Sequence, residues 1–208
     1  MRFIPTPLVG AYLIEPERHL DERGFFARTW CQREFLAHGL AAGLVQCSIS
    51  YNTRRGTVRG MHYQLPPFAE EKLVRVTHGR LFDVIVDLRP GSASFLHWFG
   101  TELTGASRMA MYVPKGVAHG FQTLADDTEV FYQMSEFYSA EQGWGLRWND
   151  PLIHVAWPEP VTMISLRDGH YPDVNPEDFA VFGGLWEAAV SHARREQSQV
   201  EGEDHHQG

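Results

Sequence analysis

Apolar and polar residues alternate in short runs along most of the chain, and turn residues interrupt the runs at close intervals. Lys72–Thr77 (KLVRVT), Leu81–Leu88 (LFDVIVDL) and Glu129–Met134 (EVFYQM) are rich in Val, Ile, Phe and Tyr. His78-Gly79, Arg89-Pro90-Gly91 and Asp126-Asp127 punctuate them. Branched and aromatic side chains suit a pleated, half-buried surface, so these runs predict strands. Many short strands at this spacing predict a sandwich or barrel rather than alternating β-α units. Helices are expected to be few. A short one is predicted over Cys31–Ala37, and a second pattern begins near Pro176 with Leu185, Trp186, Ala189 and Val190 as its apolar side. The final stretch, REQSQVEGEDHHQG, has no apolar periodicity, so residues 191–208 are expected to be a frayed tail. No internal repeat or linker divides the chain, and residues 1–190 read as a single domain.

Composition narrows the function classes. A chain of 208 residues and 23.7 kDa, 43% hydrophobic and 12% aromatic, can bury a substantial core. The formal net charge of -8 argues against a general nucleic-acid binder, which needs clustered positive charge. It leaves room for a local basic pocket that takes a phosphate. The N-terminus lacks a basic start followed by a long apolar core, and no run approaches the roughly 18 apolar residues that span a bilayer. No membrane partner and a cytoplasmic location are therefore expected. The two cysteines, Cys31 and Cys47, read as free thiols of a reducing compartment.

Two segments carry candidate chemistry. Arg55–Gln64, RGTVRGMHYQ, holds two glycines, two arginines and a histidine. In a strictly alternating strand Arg59 and His62 face opposite sides, but a bulge at Gly60 turns both into one cavity. The alternative is a surface arginine and a packed histidine beside a turn. Met111–Phe121, MYVPKGVAHGF, places His119 just after a Pro114–Gly116 turn. Together the segments resemble the two histidine motifs of cupin barrels. A metal-binding cupin needs a His-x-His pair and a carboxylate in the first motif, whereas Tyr63 and Gln64 follow His62 here. Two imidazoles fall short of the usual three protein ligands, so no metal is expected. Three polar residues sit inside apolar strands: Lys72 shares a face with Val74 and Val76, Asp83 with Leu81 and Ile85, and Tyr132 with Val130 and Met134. If those faces are interior, Lys72 and Asp83 are buried charges that need partners. If they are exposed, the opposite faces form the core, and the pattern alone leaves both open.

Across residues 3–175 the chain resembles the dTDP-4-dehydrorhamnose 3,5-epimerase family. The matching stretches, in the family's order and spacing, are DERGFF (Asp21–Phe26), RGMHYQ (Arg59–Gln64), EKLVRVTHG (Glu71–Gly79), DVIVDLRPGS (Asp83–Ser92), VPKGVAHGFQTL (Val113–Leu124), RWNDP (Arg147–Pro151) and SLRD (Ser165–Asp168). The resemblance implies a mainly β fold, a jelly-roll cupin barrel with a few short peripheral helices, acting as a homodimer that exchanges N-terminal strands and needs no cofactor. It implies epimerisation of a nucleotide-linked 4-keto-6-deoxyhexose at C3 and/or C5. Carried over by position, His62 is the base, Asp168 the carboxylate that orients it, Tyr132 the proton donor and Lys72 the group facing the developing oxyanion. Arg23, Phe26, Gln46, Arg59, Asp83, His119, Tyr138 and Arg167 match substrate contacts, with Arg23 reaching the neighbouring subunit's pocket.

These residue types suit the chemistry. A C4 ketone makes the C3 and C5 protons removable, and inversion requires removal from one face and return on the other. Histidine titrates near neutrality, and tyrosine is a weak acid with an apolar body. Several surrounding positions depart from the family's pattern. Arg28 stands where an acid is usual, Gly143 followed by Trp144 where Glu is usual, QCSIS (Gln46–Ser50) for a Gln-x-Asn-x-Ser run, and Arg167 where lysine is usual. These departures predict the same proton chemistry on a nucleotide sugar that need not be dTDP-linked. The alternatives are a 3- or 5-specific epimerase, a cupin ketoisomerase, and a binding-only cupin.

Overall fold

The computed structural model describes residues 1–40 and 43–180. In chain order its strands are β1 (Arg2–Pro5), β2 (Tyr12–Glu15), β3 (Arg18–Asp21), β4 (Gly24–Ala27), β5 (Gln46–Asn52), β6 (Val58–Gln64), β7 (Lys72–His78), β8 (Arg80–Asp87), β9 (Trp98–Thr104), β10 (Ala110–Val113), β11 (Val117–Thr123), β12 (Thr128–Met134) and β13 (Gly143–Gly145). The helices are α1 (Gln32–Ala37), α2 (Leu166–Gly169) and α3 (Pro176–Ala180). Cys31 is the N-cap of α1, in keeping with the predicted start. The Pro176 start is found, but Leu185, Trp186, Ala189, Val190 and the 191–208 tail lie outside the described residues.

One sheet has six strands in the order β1-β2-β10-β7-β12-β5, and a second has five in the order β13-β6-β11-β8-β9. Their pairings are antiparallel, and the two sheets close on each other as a jelly-roll cupin barrel. Val74, Val76, Met111, Val113 and Val130 from the first sheet meet Leu81, Ile85, Leu103, Val117 and Phe121 from the second. This decides the question the sequence left open: the faces that carry Lys72, Asp83 and Tyr132 are interior. Every residue of β11 is buried, as expected of a strand covered on both faces.

The outer faces are covered unequally. The chain after β13 wraps the five-stranded sheet, so Leu146, Ile153 and Phe179 pack on Met61, Tyr63, Val84 and Val86. α1 is too short to persist alone. It forms because Phe35 buries against Leu73, Ala110 and Tyr112 of the six-stranded sheet. The β5 edge of that face stays bare, with Ile49 63% and Tyr51 51% exposed. β3 and β4 pair with each other, and their hairpin belongs to neither large sheet. Among the described residues, no helix is long and apolar enough to cross a membrane.

The pairing of β6 with β11 contains the predicted bulge. His119 sits opposite His62 and Phe121 opposite Arg59, so three steps along β6 match two along β11. Gly60 occupies this bulge at φ +115°, and a Cβ there would stand 2.6 Å from Gly120 Cα and 2.8 Å from the His119 carbonyl oxygen. Only glycine accepts both the backbone angle and the approach.

Candidate active site

A cleft of about 420 Å³ opens at one end of the barrel, between the two sheets. His62 reaches it from β6, and Lys72 and Tyr132 reach it from β7 and β12 of the opposite sheet. Gln46, Tyr138 and Arg167 also line it. Residues far apart in sequence meet here because strand order is not chain order.

His62 Nε2 lies 2.8 Å from Asp168 Oδ1. The other carboxylate oxygen accepts from the Gly60 N–H at 3.1 Å, so the bulge that frees the strand also helps hold the acid. Asp168 is placed by α2, whose N-cap Ser165 Oγ accepts from the Asp168 N–H at 3.0 Å. The segment before α2 is tied to the start of β6 through Val58 N–H to the Met163 carbonyl, 2.8 Å. Burial alone would raise the Asp168 carboxyl. The His62 ring and the Gly60 and Ser165 hydrogen bonds outweigh it and hold the group below its ordinary range. A carboxylate bonded to imidazole in this way fixes the ring's orientation and favours the imidazolium once a proton arrives.

The Lys72 ammonium, nearly buried, pairs with Glu70 at 2.6 Å. Burial pushes the Tyr132 phenol far above its ordinary range; the Asp83 charge adds to this, and Arg59 works against it. Tyr132 is therefore a firm holder of its proton at neutral pH. At the rim, Arg167 donates to the Gly143 carbonyl at 2.8 Å and to the Tyr138 hydroxyl at 3.4 Å. The Tyr138 ring lies over Gly143, where a Cβ would stand 3.2 Å from Cε2. The Gln46 side chain accepts from the Tyr138 N–H at 3.0 Å. Arg28, at another departure from the family's pattern, pairs with Glu34 at 3.4 Å.

Thus seven of the residues singled out in the sequence converge: His62, Asp168, Tyr132, Lys72, Gln46, Tyr138 and Arg167. The other five neither line the cleft nor hydrogen-bond a side chain that does. Asp83 and His119 lie behind it, fully or almost fully buried and bonded to each other, so Asp83 has no surface with which to touch a substrate. Arg59 bonds the Asn52 side chain at 2.7 Å. Arg23 and Phe26 are exposed on the β3–β4 hairpin, where Arg23 bonds Asp21. Glu70, Tyr63, Gln64 and Met134 line the cleft, and Tyr171 adjoins it, without having been singled out as contacts. Glu70 was readable, because an i, i+2 spacing to Lys72 in extended chain puts both on one face. Trp144 lines the cleft beside Gly143, at one of the departures from the family's pattern, whereas Tyr171, whose ring meets His62 edge-on at 6.1 Å, has no sequence signal beyond being aromatic.

The family model for dTDP-4-dehydrorhamnose 3,5-epimerase matches residues 5–175. The chain belongs to this family. A dTDP-4-dehydrorhamnose 3,5-epimerase of Sinorhizobium fredii is 41% identical over 175 residues, 84% of this chain and 90% of the relative. The crystal structure of the Bacillus anthracis 3,5-epimerase, with TDP and PPi bound, is 38% identical and superposes with a TM-score of 0.80. That match covers 83% of this chain and 99% of the other. A dTDP-4-dehydrorhamnose 3-epimerase of Streptomyces niveus is 36% identical over 81% of each chain. The chain is accordingly an isomerase of the epimerase kind, and the cleft built from His62, Tyr132 and Lys72 occupies the fold shared with these enzymes.

Proposed function

We propose that the protein epimerises a nucleotide-linked 4-keto-6-deoxyhexose next to its ketone, with His62 as base, Tyr132 as acid and Lys72 facing the oxyanion. The observation that carries this is the approach of His62 and Tyr132 to one cleft from opposite sheets, with His62 held by Asp168 at 2.8 Å. His62 takes the proton from the carbon beside the ketone. The electron pair delocalises onto the C4 oxygen, where the Lys72 ammonium opposes the charge; one such donor is commonly worth about 3–4 kcal/mol. Tyr132 returns a proton from the other face, and the ketone re-forms with the centre inverted. The substrate supplies its own electron sink, so no cofactor is required. A metal is not part of the proposal: among the described residues no cluster of three histidine, cysteine or acidic side chains is placed to hold one.

Relatives that carry dTDP in their names make a dTDP sugar the first substrate to test, and Arg167 at the rim suits a diphosphate through its paired donors. The altered rim around Gly143, Trp144 and Arg167 keeps GDP and CDP sugars in the panel. Incubation with 4-keto sugars of each nucleotide in heavy water, read by mass shift, tests the reading. Label at C3 and C5 supports a 3,5-epimerase, label at C3 alone a 3-epimerase, and no label with any sugar overturns the assignment. The 3-specific reading is raised by the Streptomyces niveus 3-epimerase at 36% identity, below the 41% of the Sinorhizobium fredii 3,5-epimerase. A carbonyl shift to C3, seen by product NMR, would mark a ketoisomerase, which has no need of Tyr132 across from His62.

We also propose a homodimer in the cytoplasm in which the β3–β4 hairpin crosses to a second copy and delivers Arg23 and Phe26. Leu20 is 80% and Phe26 74% exposed on this hairpin, which supports a partner surface. Light scattering that gives a monomer of 23.7 kDa at working concentration would end this part of the proposal.

A further inference from the structure

Asp83 is completely buried in the middle of β8, on a face shared with Leu81 and Ile85. A carboxylate in such a place is costly unless it is fully bonded, and an apolar residue of similar size is usually the more stable choice. Its bonding is incomplete. Oδ1 meets His119 Nε2 at 2.8 Å, while Oδ2 has no hydrogen-bond partner among the described residues. His119 is itself only 4% exposed, and its ring stands edge-on to the Tyr132 ring, 5.9 Å between centroids at 78°. The order of contact is therefore carboxylate, imidazole, phenol, and only the phenol faces the cleft.

We infer that Asp83 and His119 are positioning residues for Tyr132, a second imidazole–carboxylate pair that serves return of the proton as His62–Asp168 serves its removal. The inference rests on the epimerase reading and deepens it. Two effects follow from the arrangement. The first is geometric: an anionic Asp83 requires a hydrogen on His119 Nε2, which fixes the ring's plane and hence the surface against which the phenol packs. The second is electrostatic. A negative charge sealed behind Tyr132 disfavours the phenolate and so keeps the hydroxyl protonated to higher pH; this effect bears on the pH profile, while the ratio of exchange to inversion depends on the geometric one. The groups facing Tyr132 are Asp83 from β8 and His119 from β11 behind it, Arg59 from β6, and His62 and Lys72 in the shared cleft. Of the two charges that bear on it most, Asp83 favours the phenol and Arg59 the phenolate, with the Asp83 effect the larger.

The test separates removal from return. For each variant, solvent deuterium entering recovered, uninverted substrate is compared with deuterium in inverted product. Tyr132→Phe is the reference, expected to keep exchange and lose inversion. Asp83→Asn and His119→Gln are expected to raise the ratio of exchange to inversion about tenfold. Asp83→Asn is also expected to move the alkaline limb of the inversion profile to lower pH. Adding Asp83→Asn to Tyr132→Phe should cost nothing further, since the pair acts through the phenol. A merely structural pair would lower exchange and inversion together and leave the ratio and the profile unchanged, and that result overturns the inference. If Asp83→Asn fails to fold by thermal melting, His119→Gln decides, because its amide still donates to Asp83. A wild-type protein that exchanges nothing with any 4-keto sugar defeats the epimerase reading itself. A wild-type protein that turns over, with the ratio unmoved in both variants, defeats this inference alone.

Discussion

His62–Asp168 and His119–Asp83 are the same chemical unit at the same 2.8 Å separation, on residues that face each other across neighbouring strands. Their surroundings differ. The His62 side chain is 44% exposed and meets the cleft, whereas the His119 side chain is 4% exposed and meets a phenol. Asp168 has bonds to both of its oxygens, and Asp83 to one. In the proposed mechanism the first pair takes on and releases a proton, and in the inference drawn above the second acts through its field and its shape. Identical side chains at identical distances thus divide their labour by what lies beyond them.

Substitutions test this division, and the largest effect belongs to the open pair. His62→Asn should remove exchange and inversion together, by about 10²–10⁴-fold or more, read as deuterium incorporation per unit time. Tyr132→Phe should reduce inversion by about 10²–10³-fold while label still enters at the centre His62 reaches. Equal loss of both signals in that variant would erase the distinction between removal and return. Asp168→Asn should lower turnover by roughly 10²-fold, since the ring loses its orienting acceptor. The same variant should change the acid stability of the fold. Asp168 titrates below its ordinary 3.8 when folded, so its stabilisation is present above about pH 4 and is lost as pH falls through the folded value. Melting temperatures between pH 5 and pH 2 should therefore fall less steeply in Asp168→Asn than in the wild type. The smallest effect is expected at Glu70, which neutralises Lys72 without facing the reacting carbon in the proposed mechanism. Glu70→Gln should alter turnover by less than tenfold and leave the ratio of exchange to inversion unchanged.

The strands were legible because their residues are short apolar runs between Gly, Pro and Asp turns, a signal that survives without knowledge of neighbours. Which face of each run is interior was not legible. Val74 and Leu73 are both buried, one between the sheets and one under α1, so alternation is masked by cover on both sides. The bulge at Gly60 was anticipated from glycine between two polar residues, and the structure places it there, but it turns only His62 into the cleft; Arg59 bonds Asn52 instead. The site's membership was read mainly through family motifs, since Asp168 is 106 residues from His62 and no local pattern links them. Asp83 shows the limit of that transfer. Its motif is present, yet the residue bonds His119 behind the cleft instead of lining it. Tyr171 was invisible because its place depends on a late segment folding back across β13, against Gly145 and His62.

The contact between Gly60 and Gly120 has a bearing on how such a protein can change. Neither position has room for a methyl group: at Gly60 it would meet the neighbouring main chain, and at Gly120 it would stand 2.7 Å from the Arg59 carbonyl oxygen. Lineages and engineers alike must therefore leave this seam untouched, because moving it displaces the base and its carboxylate together. The rim, where Tyr138, Trp144 and Arg167 stand on a late loop, the short strand β13 and a short helix, is free of that constraint. New substrates are most readily acquired there, by redrawing the entrance while the seam keeps the proton machinery in register.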